Sequence, residues 1–171
     1  VPDVDEPGAT IGESTIANDT GNGSAIPVVG AVAAGTALVT GLSFLRSGRS
    51  SDAMAQLDDA IVQNSDDEVA WTLRGQALAE AGQGDQAITS YDRALAINPD
   101  AAVALAGKGV IRTRMGQPQE AIALYDQALT AHERQPQPSG FDAAGLPLLG
   151  GTALTAAILA AKGKALALTG Q

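Results

Sequence analysis

The sequence predicts an all-α chain of stacked helical pairs. Small residues recur at a fixed step, from Gly41 to Gly75 to Gly109, the mark of an array in which each unit buries its apolar face on the next. Within a step the apolar residues follow three-and-four spacing, as in Ala87, Ile88, Tyr91, Ala94 and Leu95, which places them in one stripe on a helix. No segment alternates strongly enough to demand a strand. The composition agrees: 45% of the 171 residues are hydrophobic but only 3% aromatic, with 20 Gly, so the core must consist of small side chains on closely approaching helices.

Taken in order, residues 1–24 form an arm. They hold Asp3, Asp5, Glu6, Glu13 and Asp19 with no basic residue, among Gly, Thr, Asn and Ser, a composition that predicts an extended or disordered segment. Residues 25–67 open with an uncharged run at 25–45 and contain the first unit, with Pro27 placed to open its first helix and Ser50 or Ser51 before Asp52 to cap its second. Residues 68–101 and 102–135 are the second and third units, with Asp100 a candidate cap and Pro118 suited to a first helical turn. The aligned columns are Gly41, Gly75, Gly109; Gly48, Gly82, Gly116; Ala53, Ala87, Ala121; Leu57, Tyr91, Tyr125; and Ala60, Ala94, Ala128. The second glycine of each unit stands where a left-handed helix stop favours a residue without Cβ. Residues 136–151 are a Pro- and Gly-rich connection. Residues 152–171 hold a last apolar helix, because "LAAKGKALALTGQ" at 159–171 aligns with "LAGKGVIRTRMGQ" at 105–117, pairing Lys162 with Lys108 and Gly170 with Gly116. This helix arrives later than the step between the earlier units allows, so the connection holds an insertion and half a unit follows it.

These residues resemble the tetratricopeptide repeat (TPR) family. In residues 68–101, Trp71, Gly75, Leu78, Gly82, Ala87, Tyr91, Ala94 and Pro99 fall on its signature positions. The flanking units keep the small residues but lose the Trp and the closing Pro. The resemblance implies a helical-repeat solenoid of about three and a half repeats. It also implies a non-enzymatic protein-binding module whose concave surface is lined by the first helix of each pair: Leu38, Leu42 and Leu45, then Thr72, Gln76 and Glu80, then Ala106, Val110, Thr113 and Arg114. Chaperone-binding members use a Lys and Asn clamp for a peptide carboxylate, which these positions lack. An apolar groove suits a helix, an apolar segment or another copy of the chain.

The ends pose a separate problem. A solenoid needs polar outer faces on its terminal repeats, yet residues 25–45 and 143–161 carry no charged residue apart from their borders. Three readings compete. One is membrane insertion through 25–45, since such a run is long enough to span a bilayer, although Thr36, Thr40 and Ser43 interrupt it. Another is head-to-tail self-association, with Val39 at one end and Leu154, Ile158 and Leu159 at the other, giving a filament unless the rotation closes. In the third, the apolar helices serve as ordinary caps. Self-association is preferred, with a membrane-anchored or soluble adaptor that binds another protein as the alternative.

Chemistry is not indicated. With no Cys and one His, thiolate metal sites, thiol nucleophiles and histidine clusters are excluded, and no cofactor, metal or catalytic residues are expected. His132, beside Glu133 and Arg134 near a helix end, reads as a solvated side chain. A net charge of −9 with only three Lys and seven Arg argues against nucleic acid. Two glycosylation acceptors, Asn18-Asp19-Thr20 and Asn22-Gly23-Ser24, lie in the arm. With a first residue other than Met, they suggest an extracellular or cell-surface subunit, a membrane-anchored location being the alternative.

Overall fold

The computed structural model describes residues 28–134 and 151–170; the arm, with Pro27, Asn18 and Asn22, and the connection at 135–150 lie outside the described residues. The described residues form seven helices and no strand: α1 (Val28–Arg46), α2 (Ser50–Gln63), α3 (Glu68–Glu80), α4 (Gly84–Ile97), α5 (Ala102–Arg114), α6 (Pro118–Arg134) and α7 (Gly151–Thr169). Helices α1 and α2, α3 and α4, and α5 and α6 pair as hairpins. Each later first helix, α3, α5 and α7, packs on the second helix of the pair before it. The described residues thus form a solenoid of three hairpins and one further first helix.

The hairpins close through the glycine column. Gly48, Gly82 and Gly116 have φ of 72°, 78° and 74°, a conformation that costs other L-residues about 1–2 kcal/mol. This turn lets the amide of the residue after the glycine bond back to a carbonyl of the last turn: Arg49 N to Phe44 O at 2.9 Å, Gln83 N to Leu78 O at 2.8 Å and Gln117 N to Arg112 O at 2.9 Å. Gly170, at φ 76°, repeats the stop after α7, as its alignment with Gly116 requires.

A second column sets how closely each hairpin closes. A Cβ on Gly41 would stand 2.9 Å from Leu57 Cγ, one on Gly75 2.6 Å from Tyr91 Cε1, and one on Gly109 2.7 Å from Tyr125 Cε1. Each glycine is the slot for the large side chain that the second helix of its own hairpin brings back across it. The alanines on either side of that side chain, Ala53 and Ala60, Ala87 and Ala94, Ala121 and Ala128, are almost wholly buried. Three ion pairs then join successive hairpins: Arg74 Nε to Asp58 Oδ1 at 2.6 Å, Lys108 Nζ to Asp92 Oδ1 at 2.5 Å, and Lys162 to Asp126.

The caps differ from expectation. Arg49, not Ser50 or Ser51, precedes α2, with no side-chain cap, because only Ser47, Gly48 and Arg49 separate α1 from α2 and Ser50 is already helical. Ser50 Oγ donates instead to Glu80 Oε2 at 3.2 Å, and Asp52 pairs with Arg49 at 2.6 Å. Ala101 precedes α5, while Asp100 donates its amide to Asn98 Oδ1 and pairs with Arg134 at 3.4 Å. A side-chain cap lies at α3, where Asp67 Oδ1 accepts from Val69 N at 2.9 Å and Ala70 N at 3.1 Å. Pro118 opens α6 as its fixed φ favours. His132 is buried rather than solvated, because α6 continues to Arg134 and turns this position inward beside Ala131.

The two ends of the stack are unlike. On α3, α5 and α7 the side toward the preceding pair carries Ala70 and Ala77, Ala104 and Ile111, and Ile158 and Ala165, all buried. The same columns on α1 hold Thr36 and Ser43, both exposed, and Ser43 Oγ bonds Val39 O within the helix at 2.9 Å. Two hydroxyls thus stand on the outer side of α1, where Val39 is also exposed. Among the described residues of the run, Ala34, Ala37 and Leu45 are turned inward. No helix among the described residues is long and apolar enough to cross a membrane.

Candidate functional site

The first helices α3, α5 and α7 stand side by side, because each is displaced from the last by one hairpin. Between them runs a groove of about 360 Å³. Gln76, Ala79 and Glu80 line it from α3, Val103, Ala106, Gly107, Val110 and Arg114 from α5, and Leu154, Ala157, Ile158 and Ala161 from α7, while Tyr91 and Tyr125 reach its floor. The lining is mostly apolar. Its one charged margin is formed by Glu80 and Arg114, and Arg114 Nη1 donates to Ala79 O at 3.3 Å.

Small residues in α5 and α7 bring the tyrosines to this floor. A Cβ on Gly107 would stand 2.5 Å from Tyr91 Cζ and 2.6 Å from its hydroxyl, so Tyr91 is wedged between Gly75 and Gly107. The equivalent third position is Leu73 beside Leu57 and Ala161 beside Tyr125. Where the second helix offers Leu, the next helix supplies Leu; where it offers Tyr, the next supplies Gly or Ala. Burial pushes the Tyr91 phenol well above the ordinary tyrosine range, with the Glu80 charge adding to the rise and Arg114 opposing it. Tyr125 is raised by burial too, against a hydrogen bond with Thr113, whose Oγ1 lies 3.3 Å from the phenol oxygen.

Of the residues expected on the concave surface, the structure brings Gln76, Glu80, Ala106, Val110 and Arg114 together in the groove. Thr72 is buried, and Thr113 donates to Gly109 O at 3.0 Å. Leu45 packs with Ala53, Leu57 and Ala77, with Leu38 against the same cluster, and Leu42 is half-buried, so the groove does not extend over α1. Among the residues read as assembly contacts, Ile158 is buried in the core with Ala121, Tyr125, Ala128 and Ala165, and Leu154 packs against it. These two hold α7 to α6, because that side of α7 takes the place of an ordinary first helix. Val39 and Leu159 are exposed. Sequence reasoning missed the share of α7 in the groove, which was signalled by the alignment of 159–171 with 105–117.

The described residues form a helical-repeat scaffold with a mostly apolar groove between its first helices. Residues 66–134 match the family profile described as tetratricopeptide repeat. That match identifies the repeats at 66–134 as tetratricopeptide repeats. Among solved structures, the TPR2B domain of yeast Sti1, in complex with pHsp70, is similar at a TM-score of 0.67 and 18% identity, covering 80% of this chain and 98% of that one. The type III secretion translocator chaperone SycD of Yersinia enterocolitica gives 0.68 and 14%, covering 82% and 96%. PcrH, in complex with the chaperone binding region of PopD, gives 0.64 and 16%, covering 78% and 91%. No curated protein sequence matches the chain.

Proposed function

We propose that the chain is a non-enzymatic adaptor that holds an apolar segment of a partner protein in the groove between α3, α5 and α7. The observation that carries this reading is the lining itself: Val103, Ala106, Val110, Leu154 and Ala157 present apolar surface beside a single Glu80 and Arg114 margin. Support comes from the similar structures, since that of the Sti1 domain is a complex with pHsp70 and that of PcrH one with a region of PopD. The groove has no cluster of Lys for a terminal carboxylate, so its ligand is read by apolar side chains. Peptide display against the immobilised full chain tests this. Selected peptides should be rich in apolar residues and bind Val110→Glu at least tenfold more weakly, with helicity unchanged by circular dichroism. Selections insensitive to Val110→Glu would overturn the assignment.

Self-assembly through the ends is the finer reading. It draws on the exposure of Val39 on α1 and of Leu159 and Leu168 on α7, but Thr36 and Ser43 give α1 a polar outer side, and the groove takes precedence. A location outside the cytoplasm belongs to the same proposal and rests on the Asn18 and Asn22 acceptors. Sugar on both in the intact mass of native material is the expected result, and an unmodified mass withdraws it.

A further inference from the structure

Tyr91 and Tyr125 both reach the groove floor, but their hydroxyls end differently. The Tyr125 phenol oxygen lies 3.3 Å from Thr113 Oγ1, and Thr113 gives its own hydrogen to Gly109 O at 3.0 Å. The phenol is therefore the donor of that pair, and its hydrogen is used. One repeat earlier the place of Thr113 is taken by Ala79, which has no side-chain acceptor. Tyr91 is left without a hydrogen-bond partner among the described residues, although it is only 3% exposed. Gly107 supplies the opening: a Cβ there would stand 2.6 Å from the Tyr91 hydroxyl, so another residue at 107 would cover or displace it. What Tyr91 still exposes is on the groove floor, which Ala79, Ala106 and Gly107 also line. A bound apolar side chain would strip this hydroxyl of water without replacing the bond. A slim acceptor entering from the groove would satisfy it.

We propose that the Tyr91 hydroxyl is the polar anchor of the groove, donating to a main-chain carbonyl of the bound partner segment as that segment crosses Gly107. This rests on the reading that the groove holds such a segment. The small residues at 79, 106 and 107 let a backbone approach the floor closely. The interior of a helix offers no such acceptor, because its carbonyls accept from its own amides, so the segment is extended where it passes Tyr91. Its side chains then rest on the apolar walls, Val103 and Val110 of α5 and Leu154 of α7.

The probes are random-sequence peptides selected by phage display on the immobilised full chain, synthesised, and kept where Val110→Glu weakens them at least tenfold. Tyr91→Phe removes the hydroxyl and keeps the ring. It should weaken these peptides about three- to tenfold by titration calorimetry, while the thermal midpoint of the free chain stays unchanged or rises. Tyr125→Phe, which removes a hydroxyl already paired with Thr113, should leave binding within twofold. Esters placed one at a time along a peptide backbone weaken each carbonyl as an acceptor. One position should show a loss with the parent chain that is absent with Tyr91→Phe. Coupling of Tyr91→Phe to a polar side chain of the peptide instead, or to no position, overturns the proposal, as does an equal loss of binding from both Phe variants. Peptides that Val110→Glu weakens and Tyr91→Phe does not overturn this inference alone. The absence of any peptide sensitive to Val110→Glu overturns the groove reading and this inference with it. A lower midpoint of the free chain with Tyr91→Phe shows that the hydroxyl already has a partner within the chain, and overturns the proposal too. A dimer of the chain alone that Tyr91→Phe weakens assigns the acceptor to a second copy and does the same.

Discussion

Lys162 meets Asp126 across 36 positions of sequence just as Lys108 meets Asp92 and Arg74 meets Asp58 across 16. The longer connection leaves the pairing of α7 with α6 unaltered, so the docking of this helix is set by its faces and not by the chain before it. Asp126 is 54% exposed and Lys162 26%, and such pairs contribute about 0–1 kcal/mol. Lys162→Met, which keeps the apolar stem, should therefore cost less than about 1 kcal/mol, and the loss should shrink as salt is raised. Urea unfolding at low and high ionic strength measures both.

Gly107 and Tyr91 make a sharper case. Gly107→Ala drives a methyl into the phenol of Tyr91 and should destabilise by about 1–3 kcal/mol. Tyr91→Leu in the same chain should recover much of that loss, because Leu57 beside Leu73 is the same contact with a larger residue on the other side. A double-mutant cycle in urea reads the coupling; additive costs would show that the two sites do not share the slot.

The glycines of the chain separate by conformation. Gly82→Ala forces a Cβ into φ of 78° and should cost about 1–2 kcal/mol. Gly35→Ala, inside α1 with nothing within 4 Å of the new methyl, should gain about 0.5–1 kcal/mol. Thermal unfolding of the two variants should shift in opposite directions.

Tyr91 and Tyr125 are the two tyrosines of the chain, and both phenols are raised above 10.0. The folded state thus holds protons that the unfolded state loses above about pH 10, so stability falls as pH rises through that range. Ultraviolet titration should show the phenolate band growing at higher pH in the folded chain than in the urea-unfolded chain. A folded-state titration that coincides with that of the unfolded chain would contradict the burial of both tyrosines.

The repeat, the glycine stops and the late first helix were all legible in the sequence, because each depends on residues that close packing permits and few others satisfy. Gly170 and Lys162 fall where the alignment with Gly116 and Lys108 places them. Caps were less legible: Ser50 and Asp100 are good capping residues in isolation, but α2 begins at Ser50 and α5 at Ala102, which leaves Arg49 and Ala101 in the capping position. The run at 25–45 was legible only in part. Thr36 and Ser43 visibly interrupt it, but their place on the outer side of α1 appears only when they are set in register with Ala70 and Ala77. In the groove, half of the expected residues were found because they sit on the concave side, while Leu45 and Thr72 are taken up by packing between hairpins.

The hydroxyls on α1 bear on what can be laid against this helix. Thr36 and Ser43 occupy the columns that Ala70 and Ala77 fill in α3 and Ala104 and Ile111 fill in α5, so an apolar surface placed over these two positions would strip water from their hydroxyls without replacing it.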